Sequence, residues 1–66
     1  RDNYKIGVPH KGNWQLKFNT DSPHFGGSNY LQQTDFQTID TNVHDHKQAI
    51  SINLPPLSVL YLKLED

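Results

Sequence analysis

Apolar side chains recur at every second position in several short stretches of this chain, and that period constrains the fold more than any other feature. A period of two sends successive side chains to opposite faces of an extended backbone, so each stretch reads as a strand with one buried face. Tyr4, Ile6 and Val8 alternate with Lys5 and Gly7. Trp14, Leu16 and Phe18 alternate with Gln15 and Lys17 after the connection Pro9-His10-Lys11-Gly12-Asn13, whose proline, glycine and asparagine supply turn geometry. These two runs are expected to form a hairpin. Ile50, Ile52 and Leu54 alternate with Ser51 and Asn53 ahead of Pro55-Pro56. Proline fixes φ and donates no backbone hydrogen bond, so this third strand is expected to stop at Leu54.

The last run, Leu57 to Leu64, differs because Val59 and Tyr61 oppose Leu60, Leu62 and Leu64, which makes both faces apolar. It is expected to be buried on both sides, either as a central strand of a two-layer sandwich or with one face against another domain. A weaker strand is expected over Phe36 to Asp40, and Asn19 to Gln33, rich in Asn, Asp, Ser, Pro and Gly, reads as loop. Helical periodicity and internal repeats are absent. The expectation is therefore an all-β fold, a small antiparallel β-sandwich formed by residues 1–66 as one domain.

A chain of 66 residues can build one small domain at most, and at this size folding hides only ~60% of the surface that the unfolded chain exposes. Small solitary domains compensate with disulfides or metals, but the sequence has no cysteine. A neighbouring domain is the expected support. The chain begins at Arg1 and contains no methionine, which suits a piece of a longer protein. Six Lys and Arg against seven Asp and Glu give a net charge of −1, too little positive charge to neutralise phosphates, so nucleic acid is not an expected partner. No stretch approaches the ~18 apolar residues of a membrane span, and no membrane partner is expected. The sequence carries no address of its own, and the cytoplasm is the expected location.

Glycoside chemistry uses two carboxylates held roughly 5–9.5 Å apart in a cleft. Asp21, Asp35, Asp40 and Asp45 fall instead in turns and at strand ends, where Asp ordinarily accepts hydrogen bonds from nearby backbone N–H groups. His44-Asp45-His46, placed on a strand, would aim both imidazoles to one side, and with His10 or His24 a zinc site can be imagined. Short polar loops acquire histidines freely, so a solvated loop is the expected reading. Phe25-Gly26-Gly27-Ser28 resembles a phosphate-binding loop but lacks the helix that such a loop must lead into. Trp14, Tyr30 and Tyr61 could each stack on a sugar ring. Trp14 is in phase with Leu16 and Phe18 and belongs in the core, whereas Tyr30, in the loop, is the better candidate for a ligand contact.

Three parts of the chain go further in combination. Tyr4-Lys5-Ile6-Gly7-Val8-Pro9, then Asn19-Thr20-Asp21-Ser22 followed by Phe25-Gly26-Gly27-Ser28-Asn29, then Leu54-Pro55-Pro56-Leu57, resemble in order and spacing the carboxy-terminal domain of bacterial glycogen branching enzymes. The resemblance covers nearly the whole chain, and the pairing of Asn-Thr-Asp-Ser with Gly-Gly-Ser is its most specific element. Tyr30-Leu31-Gln32-Gln33 replaces a glycine-rich stretch of the family, and His44-Asp45 stands where the family has His-Gly, a turn that Asp can preserve because it tolerates the left-handed region. Gln48 and Ala49 replace serine and small residues, which is expected to change little on an exposed face.

The resemblance implies a parent of the α-amylase superfamily with an amino-terminal β-sandwich, a central (β/α)8 barrel and this terminal β-sandwich. Such a parent cleaves an α-1,4-glucan, holds it as a covalent glycosyl-enzyme and transfers it to a glucose 6-hydroxyl, making an α-1,6 branch. The family's catalytic carboxylates lie on the barrel, so no catalytic, cofactor-binding or metal-binding residue, and no cofactor, is expected here. Three readings follow: a structural support for the barrel, a module gripping α-glucan outside the active site through Tyr30 and the Asn/Ser/Asp loop, or an unrelated small β-barrel. The barrel is the expected partner, α-glucan a second, and the isolated piece is expected to self-associate through an exposed apolar face.

Overall fold

The computed structural model of the chain describes residues 2–22, 24, 26, 27 and 30–65. Its six strands are β1 (Tyr4–Val8), β2 (Asn13–Asn19), β3 (Asp35–Gln37), β4 (Ile39–Val43), β5 (His46–Ile52) and β6 (Leu60–Leu64). They form two antiparallel three-stranded sheets, ordered β1-β5-β4 and β3-β2-β6. The expected all-β antiparallel sandwich is what the chain forms.

The period-two residues explain which faces meet. Ile6 pairs with Ile50 and Tyr4 with Ile52 across β1 and β5, while Trp14 pairs with Phe36 and Leu64 across the other sheet. Val8, Leu31, Phe36, Ile50 and Ile52 form the buried cluster, against which Ile6, Trp14, Leu16, Leu54, Leu60 and Leu62 pack. Trp14 is therefore core, as its phase implies, and its indole Nε1 finds a polar partner in the carbonyl of His10 at 3.1 Å. Leu31 is a core residue that sequence periodicity missed, because it stands alone in the polar stretch before β3.

The expected hairpin between the first two runs does not form. β1 pairs with β5 and β2 with β3 and β6, so the Pro9–Asn13 connection carries the chain from one sheet to the other. Turn-forming residues serve a sheet-to-sheet crossing as well as a hairpin, and the sequence signal is the same. A second crossing splits the expected strand at Phe36–Asp40 into β3 and β4, which lie in different sheets on either side of Thr38. Thr38 donates its backbone N–H to the Gly12 carbonyl at 3.0 Å and accepts the Gly12 N–H on Oγ1 at 3.0 Å, so the two crossings are tied to each other.

Three further expectations are corrected. The run at Ile50 starts earlier and ends earlier than its pattern suggests, since β5 spans His46–Ile52. Gln48 and Ala49 lie inside it: Ala49 is 0% exposed between Gly7 and Ile39, and the Gln48 amide Oε1 is buried without a partner. Ala49 is thus an interior position and Gln48 a half-buried one, not members of an exposed face. The final run is an edge strand and not a central one, with Tyr61 exposed and Leu60, Leu62 and Leu64 half-buried.

The register of β2 against β6 also shifts, from Leu16 opposite Leu62 to Phe18 opposite Tyr61. Two residues of β2 advance there for one of β6, which is a β-bulge, and a bulge reverses the face on which later side chains emerge. Phe18 is accordingly exposed beside Tyr61 and is absent from the core that the phase of Trp14 and Leu16 predicts for it.

β4 and β5 are joined by a two-residue turn in which His44 and Asp45 both have positive φ, 51° and 64°. That is the twist-matched hairpin turn that favours Asn-Gly, and Asp45 holds the left-handed position anticipated for it. Each L-residue there costs roughly 1–2 kcal/mol. Replacing His44→Asn together with Asp45→Gly is expected to stabilise the domain by about 1 kcal/mol, read as a higher denaturation midpoint with unchanged slope.

Candidate functional site

The segment Asn19-Thr20-Asp21-Ser22 leaves β2 and immediately becomes a hub. Asn19 accepts the Asp21 N–H on Oδ1 at 2.8 Å and donates Nδ2 to the Leu31 carbonyl at 3.2 Å. Thr20 donates its N–H to the Val59 carbonyl and accepts the Val59 N–H on Oγ1 at 2.8 Å. Asp21 is 4% exposed, and its Oδ2 accepts the N–H groups of Tyr30 at 2.6 Å and Leu31 at 3.3 Å. The Ser22 carbonyl accepts the Gly27 N–H at 3.1 Å. Every member of the quartet thus holds a distant piece of backbone.

Gly27 completes the hub by having no side chain. A Cβ at that position would lie 2.2 Å from the carbonyl carbon and oxygen of Asp21, a distance that real atoms do not adopt. The sequence pairing of Asn-Thr-Asp-Ser with Gly-Gly is therefore one object in space: an acidic residue caps the backbone of the loop it starts, and a glycine lets the loop close over it. Phe25, Ser28 and Asn29 of the same motif lie outside the described residues.

Beside the hub is an open cleft of about 600 Å³, walled by Leu16, Phe18 and Leu31 and rimmed by Lys17, His24 and Gln32. Tyr30, the favoured ligand contact, does not line it; its phenol donates to Asp2 Oδ1 and joins the loop to the start of the chain. Among the described residues, Phe18 is the aromatic side chain that reaches the cleft. Sequence reasoning missed it because only the bulge takes it out of the core.

The carboxylates stand apart from that cleft's rim. Asp21 behaves as expected, an acceptor for nearby backbone. Asp35 takes side-chain donors, from Asn13 Nδ2 at 3.1 Å and Thr34 Oγ1 at 3.3 Å, and Asp40 accepts from Gln48 Nε2 at 2.6 Å. Asp45 is in the β4–β5 turn. Of the histidines, His10 is in the β1–β2 connection, His24 on the cleft, His44 in the turn and His46 at the head of β5. Among the described residues no three His, Asp or Glu side chains gather where they could hold a metal ion.

Fold and side-chain placement first define a class: a small two-layer β-sandwich whose acidic residues serve its own loops. The comparison with known proteins then gives the family. Residues 1–65 match the alpha-amylase C-terminal all-beta domain, and the chain belongs to that family. It is 44% identical over 62 residues to the 1,4-alpha-glucan branching enzyme GlgB 2 of Xanthomonas campestris pv. campestris (strain 8004), covering 94% of this chain and 8% of that protein. It is 41% identical over 63 residues to the branching enzyme GlgB of Rhodospirillum rubrum, covering 96% of this chain and 8% of that protein. It is 42% identical over 66 residues to the GlgB of Rhodopirellula baltica, covering all of this chain and 9% of that protein. The chain thus spans less than a tenth of the length of the curated relatives it matches.

The hub makes a testable unit. Asp21→Ala leaves two buried N–H groups without an acceptor, at roughly 1–3 kcal/mol each, whereas Asp21→Asn keeps an acceptor oxygen and is expected to cost less. Gly27→Ala overpacks the same point at a cost of roughly 1–3 kcal/mol. Amide exchange of Tyr30 and Leu31 should quicken in the order Asn, then Ala, at position 21. Equal protection in all variants would show that the hub does not hold the loop.

Proposed function

We propose that this chain is the carboxy-terminal domain of a 1,4-α-glucan branching enzyme, and that it acts there as structural support for an α-amylase-type catalytic barrel. The parent would cut an α-1,4 linkage and rejoin the released segment through an α-1,6 linkage, with the carboxylates that do so outside this domain. The observation that carries the reading is the occupation of its own carboxylates: Asp21 holds the loop backbone, and Asp35 and Asp40 are bonded by neighbouring side chains on separate strands. A retaining glycosidase needs two carboxyl groups about 5–5.5 Å apart across the scissile bond, and these residues are distributed for holding strands and loops together.

One observation favours a second reading, α-glucan binding outside the active site. The cleft presents an aromatic wall at Phe18 with Lys17, His24 and Gln32 at its rim, an apolar surface beside polar groups such as a sugar ring uses. Tyr30, bonded to Asp2, stands outside the residues that line this cleft.

In a full-length branching enzyme carrying this domain, Asp35→Asn, Asp40→Asn and Asp45→Asn are each expected to leave kcat for amylose branching within about twofold. Deleting the domain is expected to lower the unfolding temperature of what remains. A loss of a hundredfold or more from any of the three would overturn the non-catalytic role. The glucan reading predicts that Lys17→Ala with His24→Ala lessens retardation of the enzyme in glycogen-containing native gels while kcat on a short glucan stays constant; unchanged retardation would leave support as the domain's role.

A further inference from the structure

The outer face of the β3-β2-β6 sheet is divided. At one end Asn13, Gln15, Asp35 and Glu65 are joined by side-chain hydrogen bonds: Gln15 Nε2 to Glu65 Oε2 at 2.8 Å, and Asn13 Nδ2 to Asp35 Oδ1 at 3.1 Å. That end is complete in water. At the other end the same face carries Phe18 opposite Tyr61, with Val59 two residues before Tyr61. Phe18 is 43% exposed, Tyr61 57% and Val59 63%. The bulge in β2 creates this patch, because without the register shift Phe18 would point into the core.

Leu57 adds an independent observation. It follows Pro56 at φ 49°, where glycine or asparagine ordinarily stands after a turn proline, and the residue is fully exposed, at 107%. A bulky residue held at positive φ and left wholly in water gains nothing inside this domain. The Leu-Pro-Pro-Leu motif thus ends in a side chain that the sandwich does not use. Beyond it, β6 is an edge of its sheet, with one side open to a further strand or covering segment among the described residues.

We infer that Leu57, Val59, Tyr61 and Phe18, with the open edge of β6, form the surface on which the preceding part of a branching-enzyme chain docks. The inference rests on the reading of this chain as that enzyme's carboxy-terminal domain. The occupant follows from what the relatives contain. The matched region is 8% or 9% of their length and belongs to a family described as C-terminal, so more than nine-tenths of such a protein is available, covalently attached, to cover the patch. A tether raises the effective concentration of that partner far above any second copy in dilute solution. The surface it meets is apolar at the contact, and the polar half of the face marks where the contact ends.

The test uses the full-length enzyme and three variants. Val59→Lys with Tyr61→Lys places charge in the patch; Gln37→Lys, on the exposed outer side of β3, is the control. Leu57→Asn is the variant that cannot fail by unfolding, since asparagine suits positive φ better than leucine does. Docking predicts that β6 amides in the wild type are protected, that protection falls by about tenfold or more in the double-Lys variant and measurably in Leu57→Asn, and that Gln37→Lys changes neither. Leu57→Asn should also lower the unfolding temperature of the whole enzyme. If Leu57→Asn raises that temperature, or if β6 exchanges equally in wild type and double-Lys variant, the patch faces water and the proposal is overturned. A concentration-dependent oligomer that the double-Lys variant dissolves would make the occupant a second copy and likewise overturn it. Branching activity read in parallel separates the two levels: an active enzyme with a water-facing patch overturns the docking surface alone, and an inactive wild type overturns the reading beneath it.

Discussion

The structure depends on closing two narrow sheets over a very small core. Among the described residues six apolar side chains are buried, Val8, Leu31, Phe36, Ala49, Ile50 and Ile52, and they come from both sheets and from the loop between β2 and β3. Sheets packed face to face stand about 10 Å apart, which accords with a shortest molecular dimension of 14 Å. With so little interior, only β4 relies on a hairpin partner, and the other strands pair with elements distant in sequence. β1 finds its partner in β5, far along the chain, and each of the three crossings between sheets must be fixed by specific bonds, as Thr38 and Gly12 fix two of them together. Long-range pairing of this kind is costly in loop entropy, and the polar hub at Asp21 offsets part of that cost by ordering the longest connection.

The sequence was most legible where one side chain sufficed to report one environment. Period-two alternation touched all six strands, merging β3 and β4 into one, and placed Trp14 against the core, while the resemblance to a family His-Gly turn anticipated the left-handed Asp45. It failed where a choice depended on partners distant in sequence. Pro9 to Asn13 can reverse a strand onto its neighbour or carry it to another sheet, and only the affinity of Ile6 and Val8 for β5 decides between them. The bulge near Lys17 likewise leaves no mark in the alternation of Trp14, Leu16 and Phe18, since it is imposed by the register of β6. Leu31 was hidden because a single buried residue has no period.

The hub shows a different kind of legibility. Asn19-Thr20-Asp21-Ser22 and Gly26-Gly27 were recognisable as a family pattern without any physical account of why they go together. The coordinates of Asp21 and Gly27 supply it: a carboxylate must reach two N–H groups of the returning segment, and the glycine must pass within contact of the residue that holds it. Acidic residues of this kind invite a catalytic interpretation. Here the burial of Asp21 and its backbone partners make it a structural acceptor, which moves the question of function from chemistry to contact.

Contact is also where the domain's composition becomes intelligible. A cysteine-free chain of 66 residues with so small a buried cluster has little stability to spare, yet it leaves Leu57, Val59, Tyr61 and Phe18 outside and holds Leu57 at positive φ. Taken alone, such an arrangement forgoes the burial of its own apolar surface. Joined to a larger neighbour, the same residues contribute stability that exists only in the assembled state, because binding to the folded form alone shifts the folding equilibrium toward it. The last strand then has a consistent explanation. Its inward leucines close the sandwich, and under the proposed docking its outward side closes a joint, which corresponds to the second of the two expectations for this run, one face against another domain, rather than to a central strand.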